Sequence, residues 1–271
     1  MQTHYKNAVQ IKEYGPGNYK ITVLKNHNVG KKTDTQKKAE ELNRELNPDN
    51  ETEEDKHKKK QAQSISRTKK TVLEKALCND WVWFVTLTLD PQKYARDDLD
   101  GFIHDLAQFI RDERKRTGKK ISYLLIPELH NDLINWHMHG LLTELPTEDL
   151  EPHYMQHLRK QGYLNWQTYQ KRFGMCSLSP IRDNVKCSLY ITKYISKNFK
   201  SQKSVKTLYK KMYYCSQGLK KAEVIKQGIL TKPLNFKMAF EGLYSKSTFI
   251  DCIDWFGEYF EEQELKELEE E

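Results

Sequence analysis

Cysteine is scarce in this chain and never paired in pattern. Cys78, Cys176, Cys187, Cys215 and Cys252 stand far apart, with no C-x-x-C among them. That excludes a zinc ribbon and a disulfide framework, and it suits a reducing cytoplasm. No apolar run approaches the ~20 residues needed to span a bilayer, so no membrane role is expected. The N-terminus, Met1-Gln2-Thr3-His4-Tyr5, lacks the apolar centre of a secretion signal. No G-x-x-x-x-G-K-[ST] occurs, which excludes a fused P-loop ATPase. No internal repeat is visible.

Charge is abundant and unevenly laid out. The 271 residues carry 45 Lys and Arg against 38 Asp and Glu, a net +7. Residues 254–271 hold nine acidic residues and one lysine, so the remainder carries 44 basic and 29 acidic residues. A body this basic fits a polyanionic partner such as nucleic acid. Between 56 and 70 there are seven basic residues and no acidic one. Arg67, Lys69 and Lys70 are candidates there for holding phosphates, which predicts salt-sensitive binding.

Three regions follow from the patterning. Residues 1–70 read as an N-terminal extension with a basic, partly disordered segment: a hairpin turn at 13–19, a strand at 20–24 and a polar stretch over 31–63 that is mobile or weakly helical, followed by a short helix over 72–77. Residues 71–220 read as the main domain, and 221–271 as a C-terminal extension ending in the acidic tail. Within the main domain, residues 81–89 are β-branched and aromatic and predict a buried strand. Phe102, Ile103, Leu106, Phe109 and Ile110 recur at helical spacing, closed by Gly118. Residues 121–126 and 136–142 predict two further strands joined by a turn around Asn131-Asp132. Helical material is expected from Thr147 to about Phe173, then a short strand over 175–181. Asn184 is the expected cap of a helix carrying Tyr190 and Tyr194. A last strand is expected over 211–215. The order β-α-β-β-α-β-α-β predicts an α+β fold, a ferredoxin/RRM-like antiparallel sheet with helices packed on one face.

His137 and His139 stand two apart on a predicted strand, so both imidazoles face the same way. Imidazole suits Mn, Zn, Co or Ni, whereas Mg prefers oxygen ligands. Glu128, on the preceding strand of the hairpin, can complete a divalent-metal site, and His130 is a rival third ligand. The alternative is two surface histidines on an edge strand. His153 and His157 have i,i+4 spacing on expected helix, but lack the general base of H-E-x-x-H and read as a solvated face.

Tyr190 and Tyr194 are also i,i+4, which puts both phenols on one helix face, with Lys193 and Lys197 on the neighbouring stripe. They can simply pack inward. They can also act as nucleophiles: a nearby ammonium stabilises phenolate and the charge developing on an attacked phosphate.

Residues 84–88 (Phe-Val-Thr-Leu-Thr), His137-Met138-His139 and Tyr190-x-x-Lys193-Tyr194-x-x-Lys197 occur in the order of three signatures. Together they resemble the HUH endonucleases that initiate rolling-circle replication. The block from Pro127 to Gly140 and the run Tyr213 to Leu219 resemble phage and plasmid replication-associated proteins, including gene II-type initiators of filamentous phages. The resemblance covers about Ser64 to Leu219. It implies the HUH nuclease fold, with Thr86 and Thr88 near DNA and metal. It implies that His137, His139 and Glu128 bind Mg or Mn. It implies that Tyr190, Tyr194 or both attack a phosphate of single-stranded DNA at a replication origin, leaving a 5′-phosphotyrosine. Strand separation then falls to a separate helicase of the bacterial host. A relaxase or HUH transposase shares this chemistry. A catalytically inert repressor on the same fold is the alternative outside enzymes.

Overall fold

The computed structural model describes residues 3–29, 38, 42, 52–132, 134–201, 211–234, 238–241 and 245–262. Most of the polar stretch at 31–51 and the acidic end of the tail lie outside them. The chain divides into two compact units, residues 61–220 and residues 1–60 with 221–271.

The unit built from both chain ends is a six-stranded antiparallel sheet. Its strands are β1 (Thr3–Glu13), β2 (Tyr19–Val29), then β10 (Glu223–Leu230), β11 (Phe240–Glu241), β12 (Ser245–Ile250) and β13 (Phe260–Glu262). β1 pairs with β2 and with β10, so the segments flanking the central domain close into one sheet, ordered β11-β12-β2-β1-β10-β13. The turn at 14–18 runs through Gly15 and Gly17 at positive φ, which L side chains resist. Val9, Ile11, Ile21 and Val23 alternate along β1 and β2 and pack on Phe256 and Phe260. Alternation signals the strands, but their non-local pairing leaves no mark in the sequence.

The central unit runs α1 (Glu53–Leu77, its first turns in the other unit), β3 (Trp83–Thr88), α2 (Leu99–Thr117), β4 (Tyr123–Leu129) and β5 (Trp136–Leu142). It continues with β6 (Leu150–Pro152), α3 (Gln156–Lys160), β7 (Leu164–Trp166), α4 (Gln167–Arg172), β8 (Cys176–Pro180), α5 (Asn184–Ser201) and β9 (Tyr214–Cys215). The strand order is β6-β7-β8-β3-β5-β4-β9, all pairs antiparallel. β3 and β4 therefore run parallel with β5 inserted between them, the split β-α-β of the ferredoxin-like fold. The fold class is α+β as the sequence predicts.

Each central strand serves two cores by the period of two. Val85, Leu87, Leu125, Trp136, Met138 and Leu142 face α2 and the 164–173 segment, meeting Phe102, Phe109, Trp166 and Phe173. Leu124, Ile126 and Leu141 face the other way, onto Ile191 and Ile195 of α5 and Val72 and Ala76 of α1. The helices do not all share one face, contrary to the expectation from the sequence: α2 and α4 cover one side of the sheet, and α1 and α5 cover the other, because alternate residues of β3, β4 and β5 are apolar on both faces. The added layer on that side includes one long helix over Glu53–Leu77, which extends the weak helicity expected within 31–63. Thr52 and Asp55 form a reciprocal cap, each backbone N–H donating to the other's side chain. Ile65, Val72 and Ala76 give the helix an apolar stripe.

Two expectations fail in detail. The 147–173 stretch is not one helix: Gly162 turns at φ 82°, and β6, at the sheet edge, and β7, beside it, lie between short helical turns. Trp166 and Leu164 are recruited to the sheet by burial, which overrides helical spacing. The cap of α5 is Asp183 rather than Asn184, since its carboxylate accepts from the Lys186 N–H at 2.9 Å. That hydrogen bond holds the Asp183 pKa below its ordinary value. No helix among the described residues is long and apolar enough to cross a membrane.

Candidate metal centre and tyrosine pair

The β4–β5 hairpin sets Glu128 directly across from His137, and β3 sets Thr88 across from His137 and Thr86 across from His139. The hairpin tip is fixed locally. Asp132 accepts from the N–H groups of Ile134 and Asn135 and from the Asn135 amide, and those bonds pull its pKa down to about 2. His130 N–H donates to Asn135 O and closes the hairpin. Gly140 is required beside the pair. A Cβ there would meet Leu125 Cδ2 at 2.4 Å and Leu124 O at 2.5 Å.

Glu128, His137 and His139 converge. Glu128 Oε2 lies 2.7 Å from His139 Nε2 and 3.1 Å from His137 Nε2, and the two Nε2 atoms are 2.8 Å apart. The carboxylate is buried at 3 % exposure, and the imidazoles are half-buried. Two nitrogens and one oxygen aimed at one point, all within 4.8 Å, make a donor set that fits a divalent cation. Thr86 Oγ1 lies 3.0 Å from His139 Nδ1. With the Nδ1–H donating to that hydroxyl, the Nε2 lone pair is left facing the cluster, the tautomer a ligand needs.

His130, the rival third ligand, packs against the His137 ring, with centroids 4.3 Å apart and planes inclined by 59°, but turns its Nε2 to Arg96 Nη2 at 3.0 Å. That nitrogen accepts the guanidinium proton and does not join the cluster. Burial lowers the His130 pKa, with His137 and Arg96 adding to the effect. Arg96 was not foreseen: it sits in the irregular loop after β3, where no spacing signals it.

The tyrosine helix lies on the same face. Tyr194 stacks on His139, with ring centroids 4.0 Å apart and planes inclined by 23°. Its hydroxyl donates to Tyr190 Oη at 3.0 Å. Burial pushes the Tyr194 hydroxyl well above the ordinary phenol range, and the Tyr190 hydrogen bond adds to it. Tyr190 is 46 % exposed, and the exposed Lys193 sets its Nζ 5.5 Å from the Tyr190 ring centroid. Phe84 braces both tyrosines and His139, with centroids at 5.6 to 6.3 Å. Lys197 belongs to α5, but its side chain lies outside the described residues.

Thr88 shares the face of the cluster by register and is half-buried. Arg67, Lys69 and Lys70 lie on α1, which packs on this face of the sheet through Val72 and Ala76; Arg67 is exposed and the two lysines are half-exposed. His153 and His157 do not share a helix face: His153 is fully buried ahead of α3, and only His157 is exposed on it. His153 Nδ1 accepts from the Met155 N–H, so the ring folds into the loop instead of into water.

Residues 82–199, from the residue before β3 into α5, match the family model of replication-associated proteins of the ORF2 and gene II protein type. The matched segment carries the His–Glu cluster and both tyrosines. No curated protein and no solved structure matches the chain.

Proposed function

We propose that this protein starts rolling-circle replication of a phage, plasmid or integrated element by nicking single-stranded DNA at the origin. What carries the reading is the stacking of Tyr194 on His139. It sets two phenols beside a His–His–Glu cluster on a segment similar to replication-associated proteins.

Glu128, His137 and His139 hold a divalent ion, Mg or Mn, which when bound polarises a phosphate oxygen and stabilises the charge of phosphoryl transfer. Everything else is supplied by side chains of α5 and the sheet. Tyr190 is the exposed phenol and the one that reaches an incoming strand. As its Oη attacks phosphorus, the Oη–P bond forms and the P–O3′ bond breaks. The phenolic proton passes to solvent, and the departing 3′ oxygen takes a proton from solvent to end as a hydroxyl, so the step is proton-neutral. Tyr194, desolvated against His139, keeps its proton and donates it in a hydrogen bond to the developing Tyr190 oxyanion. Lys193 lies close enough to lower the cost of that charge. The 5′-phosphotyrosine retains the ester bond, so a later 3′-hydroxyl can reverse the step and join ends. Hydrolysis alone would need no tyrosine.

The basic residues Arg67, Lys69 and Lys70 add phosphate contacts, and strand opening falls to a helicase of the bacterial host, in whose cytoplasm the protein works. The decisive experiment incubates the full chain and Mn or Mg with 3′-labelled single-stranded oligonucleotides tiling the DNA around its own gene. An adduct stable to denaturing detergent, mapped by mass spectrometry to Tyr190 or Tyr194, is expected. An adduct that survives Tyr190→Phe with Tyr194→Phe rules the mechanism out. Tight binding with no adduct on any tile favours the inert repressor.

A further inference from the structure

Tyr154 is an exposed aromatic ring held in place from two sides. Its ring stacks on the fully buried His153, with centroids 4.7 Å apart and planes 21° apart. Its hydroxyl donates to Met175 Sδ at 2.9 Å. Yet 53 % of the residue is open to solvent. A single exposed aromatic is ordinary. One whose face is presented while its tip and back are fixed is a stacking platform.

A row of residues on one sheet face runs from the His–Glu cluster toward this ring. His139 Nδ1 meets Thr86 Oγ1, and Thr86 lies directly across from Ser177 on β8. Met175, two residues before Ser177, faces the same way, and its carbonyl accepts the Thr88 N–H at 2.8 Å. Thr86, Thr88, Met175 and Ser177 are all half-buried and none is closed off from solvent, so the sheet face between the cluster and Tyr154 is not sealed by helix. Immediately after Tyr154, α3 presents Arg159 and Lys160, both exposed. Hydroxyls on the floor, an aromatic face at the end and cations alongside are what a single strand of DNA requires: base stacking for affinity, with charge along the backbone.

We propose that single-stranded DNA leaves the His–Glu cluster across β3 and β8, and that Tyr154 stacks on one of its bases while Arg159 and Lys160 hold the adjoining phosphates. This rests on the reading of the protein as a single-strand nickase, and adds to it a subsite remote from the reacting phosphate. Stacking tolerates any base, so the subsite supplies affinity and register rather than sequence choice.

The test uses the full chain in EDTA, where no covalent step occurs. Fluorescein-labelled dT20 is titrated into the wild type, Tyr154→Ala and Tyr154→Phe. In parallel the wild type is irradiated with dT20 carrying 5-iododeoxyuridine, and the cross-linked peptide is sequenced. The Ala variant is expected to weaken binding about tenfold and the Phe variant only about twofold, with the cross-link on Tyr154. If Tyr154→Ala binds like wild type, or the cross-link falls elsewhere, the subsite is overturned, while the nickase reading survives if the phosphotyrosine adduct still forms. If the wild type captures no dT20 at low salt, or prefers rU20, both ideas fall together.

Discussion

Tyr194 lies face to face on His139 and passes a hydrogen bond to Tyr190, so an imidazole of the His–His–Glu cluster and the outer phenol are joined through one ring. The two tyrosines are thereby unequal. Tyr190→Phe is expected to abolish the covalent adduct. Tyr194→Phe is expected to slow it by about ten- to a hundredfold, the loss of a hydrogen bond to a charged oxygen worth about 1.5–3 kcal/mol. Single-turnover adduct formation on denaturing gels measures both. An adduct retained in Tyr190→Phe and lost in Tyr194→Phe would reverse the assignment.

The cluster should bind a divalent cation in solution without DNA. At about a hundred times its Kd, Mn is expected to stabilise the fold by about 2.7 kcal/mol, read as a rise in Tm. Glu128→Gln is expected to remove that rise. Thr86→Val, which deletes the hydroxyl facing His139 Nδ1 with little change of shape, is expected to weaken Mn binding about 10- to 100-fold in calorimetric titration. An unchanged affinity would show that Thr86 does not set the tautomer.

Gly140 should resist even a methyl group. The Leu124 carbonyl that its Cβ would strike is backbone, so β4 and β5 must part beside His139. Gly140→Ala is expected to cost about 1–3 kcal/mol and to weaken Mn binding with it. Urea unfolding with and without Mn checks this, with a shifted midpoint at unchanged slope.

His153 predicts an acid-side loss of stability. Burial lowers its pKa from the ordinary 6.5, so below that pH the unfolded chain binds a proton that the folded one refuses. Its contribution is therefore intact above about pH 6.5 and diminishes as pH falls. His153→Asn, whose side-chain oxygen can replace Nδ1 as acceptor for the Met155 N–H, is expected to flatten the decline of Tm between pH 7 and 5 relative to wild type. Parallel curves for the two proteins would show that His153 titrates equally in both states.

What the sequence settled by itself is local and periodic. The two-residue spacing of His137 and His139 fixed their shared face, and the four-residue spacing of Tyr190 and Tyr194 did the same on α5, because strand and helix geometry depend only on the neighbouring backbone. The central strand was legible from local composition, since residues 81–89 are β-branched and aromatic. Only the tertiary structure placed Glu128 with the two histidines and turned His130 away, because that arrangement depends on the β4–β5 register and on Arg96, which arrives from a loop. Only it joined the two chain ends in one sheet, broke the 147–173 stretch to fill an edge, and brought Tyr194 onto His139. Contacts between residues far apart in the chain are decided by which surfaces exclude water together, and no short-range pattern records that.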